Sequence, residues 1–211
     1  MGLQKGLIDF EVDQTQLARI ELKLKNCKEK APLALKNAVN ATARDAKKDL
    51  AAKAKETYAV KAPRFKKAIA QKNATKSKPV ATLKITGQAN ALSDFRYKPN
   101  SGDASARGKL YNASTLQDLS TPSGKLKAFV VKFKSGHVAV VRRDPPLLYT
   151  RGMPERKRTG GDRTKIKEFY SPSIPRMIGN EAKVYGVVKP NIQENLQKNI
   201  QKQIDKILGG K

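Results

Sequence analysis

Residues 125–179 read KLKAFVVKFKSGHVAVVRRDPPLLYTRGMPERKRTGGDRTKIKEFYSPSIPRMIG. Two short, β-branched apolar runs at 128–133 and 138–141 flank Lys134, Ser135, Gly136 and His137, the signature of a hairpin. Phe129, Val131 and Phe133 share one face of the first strand. Residues 138–141 are apolar on both faces, so the second strand is predicted to be central and covered on both sides. Beyond Arg142, Arg143 and a double proline, residues 151–163 carry Arg151, Arg156, Lys157, Arg158 and Arg163 among turn residues with no apolar period, which predicts a flexible basic loop. Residues 165–170 suit another short strand. In Ser171-Pro172-Ser173-Ile174-Pro175 two prolines fix φ and remove donors, predicting a defined turn in place of a regular helix or central strand.

Upstream, Ile8, Phe10 and Val12 alternate with Asp9 and Glu11 as in a half-buried strand, and Asp13 is placed to cap a helix carrying Leu17, Ile20 and Leu24 to about residues 27–30. Pro32 falls where the next helix begins. Leu35, Val39, Thr42, Ala46 and Leu50 repeat at helical spacing through an Ala- and Lys-rich sequence, so residues 31–58 are predicted helical with a small-residue face built for close packing. The opposite face bears Arg44, Lys47, Lys48, Lys53 and Lys55, a pattern that ordinarily marks a solvated surface. Pro63 opens a predicted short helix through Phe65, Ala68 and Ile69, followed by a basic loop over 71–79 and an amphipathic strand with Ala81, Leu83 and Ile85 facing inward, ended by Gly87. Phe95 and Tyr97 lie in a turn-rich passage without a clear period. Residues 99–124 shift to Ser, Gly, Asp, Asn and Thr, predicting an excursion from the sheet with one helical turn near 114–119. From Pro190 onward, Ile192, Leu196, Ile200, Ile204 and Leu208 recur every four residues, an amphipathic C-terminal helix stopped by Gly209 and Gly210. The expectation is one α+β domain over 1–211, its long N-terminal helices and C-terminal helix packed on a mainly antiparallel sheet with extended basic loops.

Composition narrows the function. Among 211 residues, 44 Lys and Arg against 18 Asp and Glu give a net charge of +26, which predicts a polyanionic or acidic neighbour. Cys27 is the only cysteine and His137 the only histidine, so an intrachain disulfide, a cysteine zinc cluster and a multi-histidine metal site are excluded. His137 is predicted at a hairpin turn, a structural position. Acidic residues are scattered without the pairing that a two-metal nuclease or a glycosidase needs, and neither Gly108-Lys109 nor Gly124-Lys125 has the rest of a phosphate-binding loop. No catalytic residue and no cofactor is therefore expected. The chain has no secretory signal pattern and no apolar run approaching the ~18 residues of a membrane span, so cytoplasmic synthesis without membrane insertion is expected. Without Trp, a zinc finger or an aromatic RNA-binding strand, any nucleic-acid contact is predicted to be to phosphates. Arg142 and Arg143 read equally well as interface residues and as a strand end paired with a local carboxylate such as Asp144.

Residues 135–143, SGHVAVVRR, and 166–179, IKEFYSPSIPRMIG, resemble the minor tail protein Z family, the tail completion proteins of tailed phages and prophages. There a similar Ser-Gly-His-Val stretch precedes a similar Glu-x-Tyr-Gly-Pro-Ser-Ile-Pro stretch, and a long Ala-rich helix followed by Tyr and Pro, as in 31–63, lies upstream. Gly136, His137, Pro172, Ser173 and Pro175 carry the resemblance as structural motif positions. Ser171 stands where the family commonly has glycine, Ala139 and Val141 depart from it, and 99–124 has no counterpart. The resemblance implies a non-enzymatic virion protein at the head-proximal end of the tail, made in the host cytoplasm and acting in tail completion and head–tail joining. It implies a homo-oligomeric ring, expected as a hexamer, touching other tail and neck proteins near the DNA path. Arg142, Arg143 and the basic residues of 151–163 are then the candidate contacts to DNA phosphates or to a partner. A reading from charge alone is a free, basic nucleic-acid-binding protein of low sequence specificity.

Overall fold

The structure, a computed structural model, describes residues 4–10, 14–61, 64–98, 106–119, 128–146 and 164–209. In chain order its elements are β1 (Gln4–Phe10), α1 (Gln14–Leu24), α2 (Ala31–Thr57), α3 (Phe65–Ala68), β2 (Ile69–Lys72), β3 (Ala81–Gly87) and β4 (Ala89–Ala91). They continue with β5 (Arg96–Lys98), β6 (Arg107–Lys109), β7 (Gln117–Asp118), β8 (Phe129–Lys132), β9 (Val138–Arg143), β10 (Ile166–Glu168), β11 (Tyr170–Ser173), α4 (Ile174–Ile178) and α5 (Tyr185–Leu208). The chain is α+β, and each strand pairing with a described register is antiparallel. Contacts divide it into two compact units, one of residues 1–57, 64–88 and 173–211, the other of 58–63 and 89–172.

The first unit is built on α2, whose 27 residues make a rod about 40 Å long. Leu35, Val39, Thr42, Ala46 and Leu50 are all buried, as their spacing predicts, and so are Ala31, Ala34, Ala38, Ala43, Ala51 and Ala54. Side chains this short let neighbouring elements approach the helix axis closely. Ile20 and Leu24 of α1, Leu35 and Ala38 of α2, and Ile200 and Ile204 of α5 form one apolar cluster. At its margin the Thr42 hydroxyl donates to the Ala38 carbonyl at 2.9 Å and accepts from the Asn199 amide at 3.0 Å, a polar tie from α2 to α5. Farther along, α2 packs on β2, β3 and α4. The sheet has the order β1-β3-β2, with Ala81, Leu83, Ile85 and Ile69 buried on its inner side.

In several places the structure departs from the sequence pattern. The strand starts at Gln4, and Glu11, Val12 and Asp13 lie outside the described residues. After α1 the chain tightens to a 3-10 turn over Lys25–Lys30, with Cys27 at non-helical φ −115°, ψ 29°. Ile69, expected in a helix, and Gln71, expected in a loop, belong to β2: the register Ile69↔Ile85 and Gln71↔Leu83 puts both on the α2 side of β3, so cross-strand pairing overrides the local helical pattern. Helix α5 begins before Pro190, which removes one helical donor without ending the helix. Buried Val184 and Val188 hold that extra turn in the core, and Gly186 is required because a Cβ there would lie 2.2 Å from the Glu181 carbonyl oxygen. The helix packs chiefly on α2 and also on α1.

In the second unit the sheet order β10-β9-β8 makes β9 central, with Ala139, Val140 and Val141 buried, as expected of an all-apolar strand. In β8, however, Val130 is the buried residue and Phe133 is exposed, so the covered face is opposite to the one its aromatics mark. The helical turn expected near 114–119 is replaced by β7, which pairs Gln117 with Gly108 and Asp118 with Arg107 in a β5-β6-β7 sheet. Phe95, fully buried, bridges to Val60, and Tyr58 bridges to Tyr111, their rings 5.4 Å apart.

Both cores can be probed by substitution. Ala38→Leu overfills the α1–α2–α5 cluster and is expected to lower unfolding free energy in denaturant titration by about 1–3 kcal/mol. Burial, reinforced by Tyr111, pushes the Tyr58 phenol from 10.0 up to about 12. The proton is thus held more tightly in the folded state. The stabilisation is complete below the unfolded value near 10 and is lost as pH rises towards about 12. Over that window the wild type should lose more stability than Tyr58→Phe in parallel melts.

Candidate functional site

The hairpin is fixed by its loop. The register Phe129↔Val141 through Lys132↔Val138 leaves 133–137 to turn the chain. Gly136 donates to the Phe133 carbonyl at 2.9 Å, and Phe133 donates to the His137 carbonyl at 2.8 Å. Gly136 has φ +83°, the left-handed conformation that closes a three-residue hairpin loop and favours glycine. His137 stacks on Phe133, ring centroids 5.8 Å apart, and its Nε2 lies 3.6 Å from Oε1 of Glu168 on the neighbouring strand β10. That Glu168 oxygen is buried without a hydrogen bond, whereas Oε2 accepts from the Tyr170 hydroxyl at 3.1 Å. This hydrogen bond, with some burial and the carboxylate charge, raises the Tyr170 phenol above its ordinary value. His137 thus lies at the turn beside an acid that no sequence pattern singles out.

The arginine pair at the end of β9 is engaged locally. Arg142 Nη1 lies 3.2 Å from Asp144 Oδ1 and donates to the Arg143 carbonyl at 3.3 Å. Arg143 donates to the Thr164 carbonyl at 3.3 Å, and its guanidinium sits 5.1 Å from the centroid of the Phe129 ring. Both side chains are half-buried and tie the strand end together, the local-carboxylate alternative for Arg142. Arg151, Arg156, Lys157, Arg158 and Arg163 lie outside the described residues. On α2, Lys48 and Lys53 pair with Asp45 and Glu56 one turn away, exposed pairs of small energetic weight that fit a solvated face.

The proline motif is a strand-to-helix junction, not a simple turn. Pro172 lies in β11, which pairs with β4 in a two-stranded sheet, so its missing donor costs no central ladder bond. The Ser171 hydroxyl is within 3.3 Å of the Asn90 carbonyl, giving the serine a hydrogen bond that glycine would lack. Buried Ser173 precedes α4, and Pro175 occupies its first turn, where a missing N–H is tolerated. Ile174 and Pro175 then seat on the β1–β3 sheet over two glycines. A Cβ on Gly87 would lie 3.0 Å from Ile174 Cβ and 3.3 Å from Pro175 Cδ, whereas one on Gly6 would meet Pro175 at an ordinary 3.7 Å. In sequence Gly87 marks only a strand end; its close approach to α4 depends on tertiary packing.

Among the described residues no three His, Cys, Asp or Glu side chains gather as a metal-binding group, and no helix is long and apolar enough to cross a membrane. No protein-family model matches the chain, and neither the curated proteins nor the solved structures compared with it give a significant match.

The two glycines give a paired test of the seat. Gly87→Ala should lower unfolding free energy by about 1–3 kcal/mol through overpacking against Ile174, whereas Gly6→Ala should stay within about 0.5 kcal/mol of wild type.

Proposed function

We propose that this chain is a structural, non-enzymatic protein of a tailed-phage particle, acting in tail completion and head–tail joining at the head-proximal end of the tail. The observation that carries the reading is the pairing of the two sequence blocks that resemble the minor tail protein Z family. Strand β10 from 166–179 lies directly against β9 from 135–143, with Glu168 opposite Val141, so the two blocks share one sheet. The +26 charge supports placement beside the DNA path, since a homo-oligomeric ring, a hexamer in this reading, multiplies that field at its axis. Other tail and neck proteins are its partners in this reading, with assembly in the host cytoplasm.

Quantitative mass spectrometry of purified particles tests it. The expected result is co-purification with tails at about six copies per particle, and disruption of the gene should leave heads and tails unjoined. Absence from purified virions, with the protein free in the lysate, would sink the reading.

A further inference from the structure

The outer face of the β1-β3-β2 sheet carries a basic cleft remote in sequence from Arg142, Arg143 and the 151–163 segment. Register places Asp9, Thr82 and Lys72 in one row across the three strands, and Leu7, Lys84 and Ala70 in the next same-face row, about 7 Å away. Buried Leu83, Ile85 and Ile69 occupy the opposite face, towards α2, so the Lys72 and Lys84 rows point to solvent. Between the first row and residues 73–80 lies a cleft of about 510 Å³ lined by Lys72, Asn73, Thr75, Lys78, Thr82 and Asp9, among others.

The cleft has a fixed wall. Asn40 of α2 reaches this loop as a paired amide: its Nδ2 donates to the Ala74 carbonyl at 3.2 Å, and its Oδ1 accepts from the Ala74 N–H at 2.7 Å. Gln71 donates to the Asn40 carbonyl at 3.2 Å and to Asn73 Oδ1 at 2.8 Å. The Thr75 N–H donates to the Lys78 carbonyl at 2.9 Å, and the Lys78 N–H returns a bond to Thr75 Oγ1 at 3.1 Å. The backbone that carries Lys72 and Lys78 is thereby held, while both ammonium groups and Lys84 remain exposed with no carboxylate within ion-pair distance among the described residues. Asp9, the acid in the cleft, accepts from the Thr82 hydroxyl at 2.6 Å.

We propose that this face binds the phosphodiester backbone of nucleic acid through Lys72, Lys78 and Lys84, with the Thr75 hydroxyl and the Asn73 amide as neutral donors. The chemistry favours phosphate over an acidic protein surface. The charges are lysines, which bind phosphates as point charges. The described outer rows and the cleft beside them contain Leu7 and Val80 as their apolar side chains of any size and no aromatic side chain, so they lack the aromatic anchors common in protein interfaces. Contact to phosphates needs none, and predicts binding that is indifferent to base sequence and steeply dependent on salt. The proposal goes beyond the tail reading and stands without it, because it is tested on the purified chain.

The experiment is fluorescence anisotropy of the full chain with a labelled random-sequence DNA duplex over a salt series, beside a melt of each variant. Lys72→Ala/Lys78→Ala/Lys84→Ala should melt like wild type and flatten the slope of log K against log salt by about 2.7, or about 0.9 for each phosphate that is no longer neutralised. The corresponding triple arginine variant should keep the slope, and Asp9→Asn should bind more tightly by removing the opposing charge. An alanine variant with wild-type slope and affinity would overturn the proposal, as would polyglutamate competing as well as DNA at equal charge.

Discussion

The close packing around α2 is the constraint on which the first unit depends. A helix lined by Ala31, Ala34, Ala38, Ala43, Ala46 and Ala54 gains little from any one side chain, so its stability comes from what its narrow faces admit. On one stretch they admit α1 and α5, sealed by Leu24, Leu35 and Ile204; on the next they admit the inner side of the sheet, sealed by Leu83, Ile85 and Met177. Thr42 and Asn40 add polar contacts at the edges of these faces. Thr42 binds Asn199 of α5, and Asn40 binds the backbone of Ala74, so one helix fixes both the terminal helix and the loop beyond β2.

That arrangement separates the two tasks of a strongly charged protein. Apolar contacts lie on the α2 side of the β1-β3-β2 sheet, and Lys72 and Lys84, without carboxylate partners among the described residues, lie on the other, carried by a backbone that α2 holds from within. The β9 end in the second unit follows a different logic. There Arg142 and Arg143 are drawn into Asp144, the Thr164 carbonyl and the Phe129 ring, and their charge helps to close a sheet. Arginine count alone does not mark a contact surface; the supply of local acceptors decides which cations remain available.

The legibility of the fold follows the range of the forces involved. The α2 face and the 81–87 strand are readable because their patterns repeat with one face buried, and the central β9 because its run is apolar on both faces. Ile69, the 117–118 strand and the buried face of β8 escape the local pattern because cross-strand packing decides them, with Ile69 set opposite Ile85, Gln117 opposite Gly108 and Val130 opposite Val140. The Ser-Pro-Ser-Ile-Pro motif is legible as a stiff unit, but its seat on Gly6 and Gly87 lies more than 80 residues upstream and leaves no local sign. Of the candidate contact residues, Arg142 and Arg143 are visible in sequence, yet of their local partners only Asp144 is. Lys72 and Lys78 have the sequence of ordinary loop lysines, and only the fold puts Lys72 at the end of β2 and brings Asn40 against the loop that follows it.

Through Asn40, α2 holds the basic face in place. Native-state hydrogen exchange at the Ala74 amide tests it most directly, because that N–H donates to Asn40 Oδ1 across the interface. Protection of Ala74 is expected to approach that of the interior amides of α2 and to be lost together with them on unfolding. Exchange of Ala74 at the rate of an unprotected loop, while α2 stays protected, would contradict it.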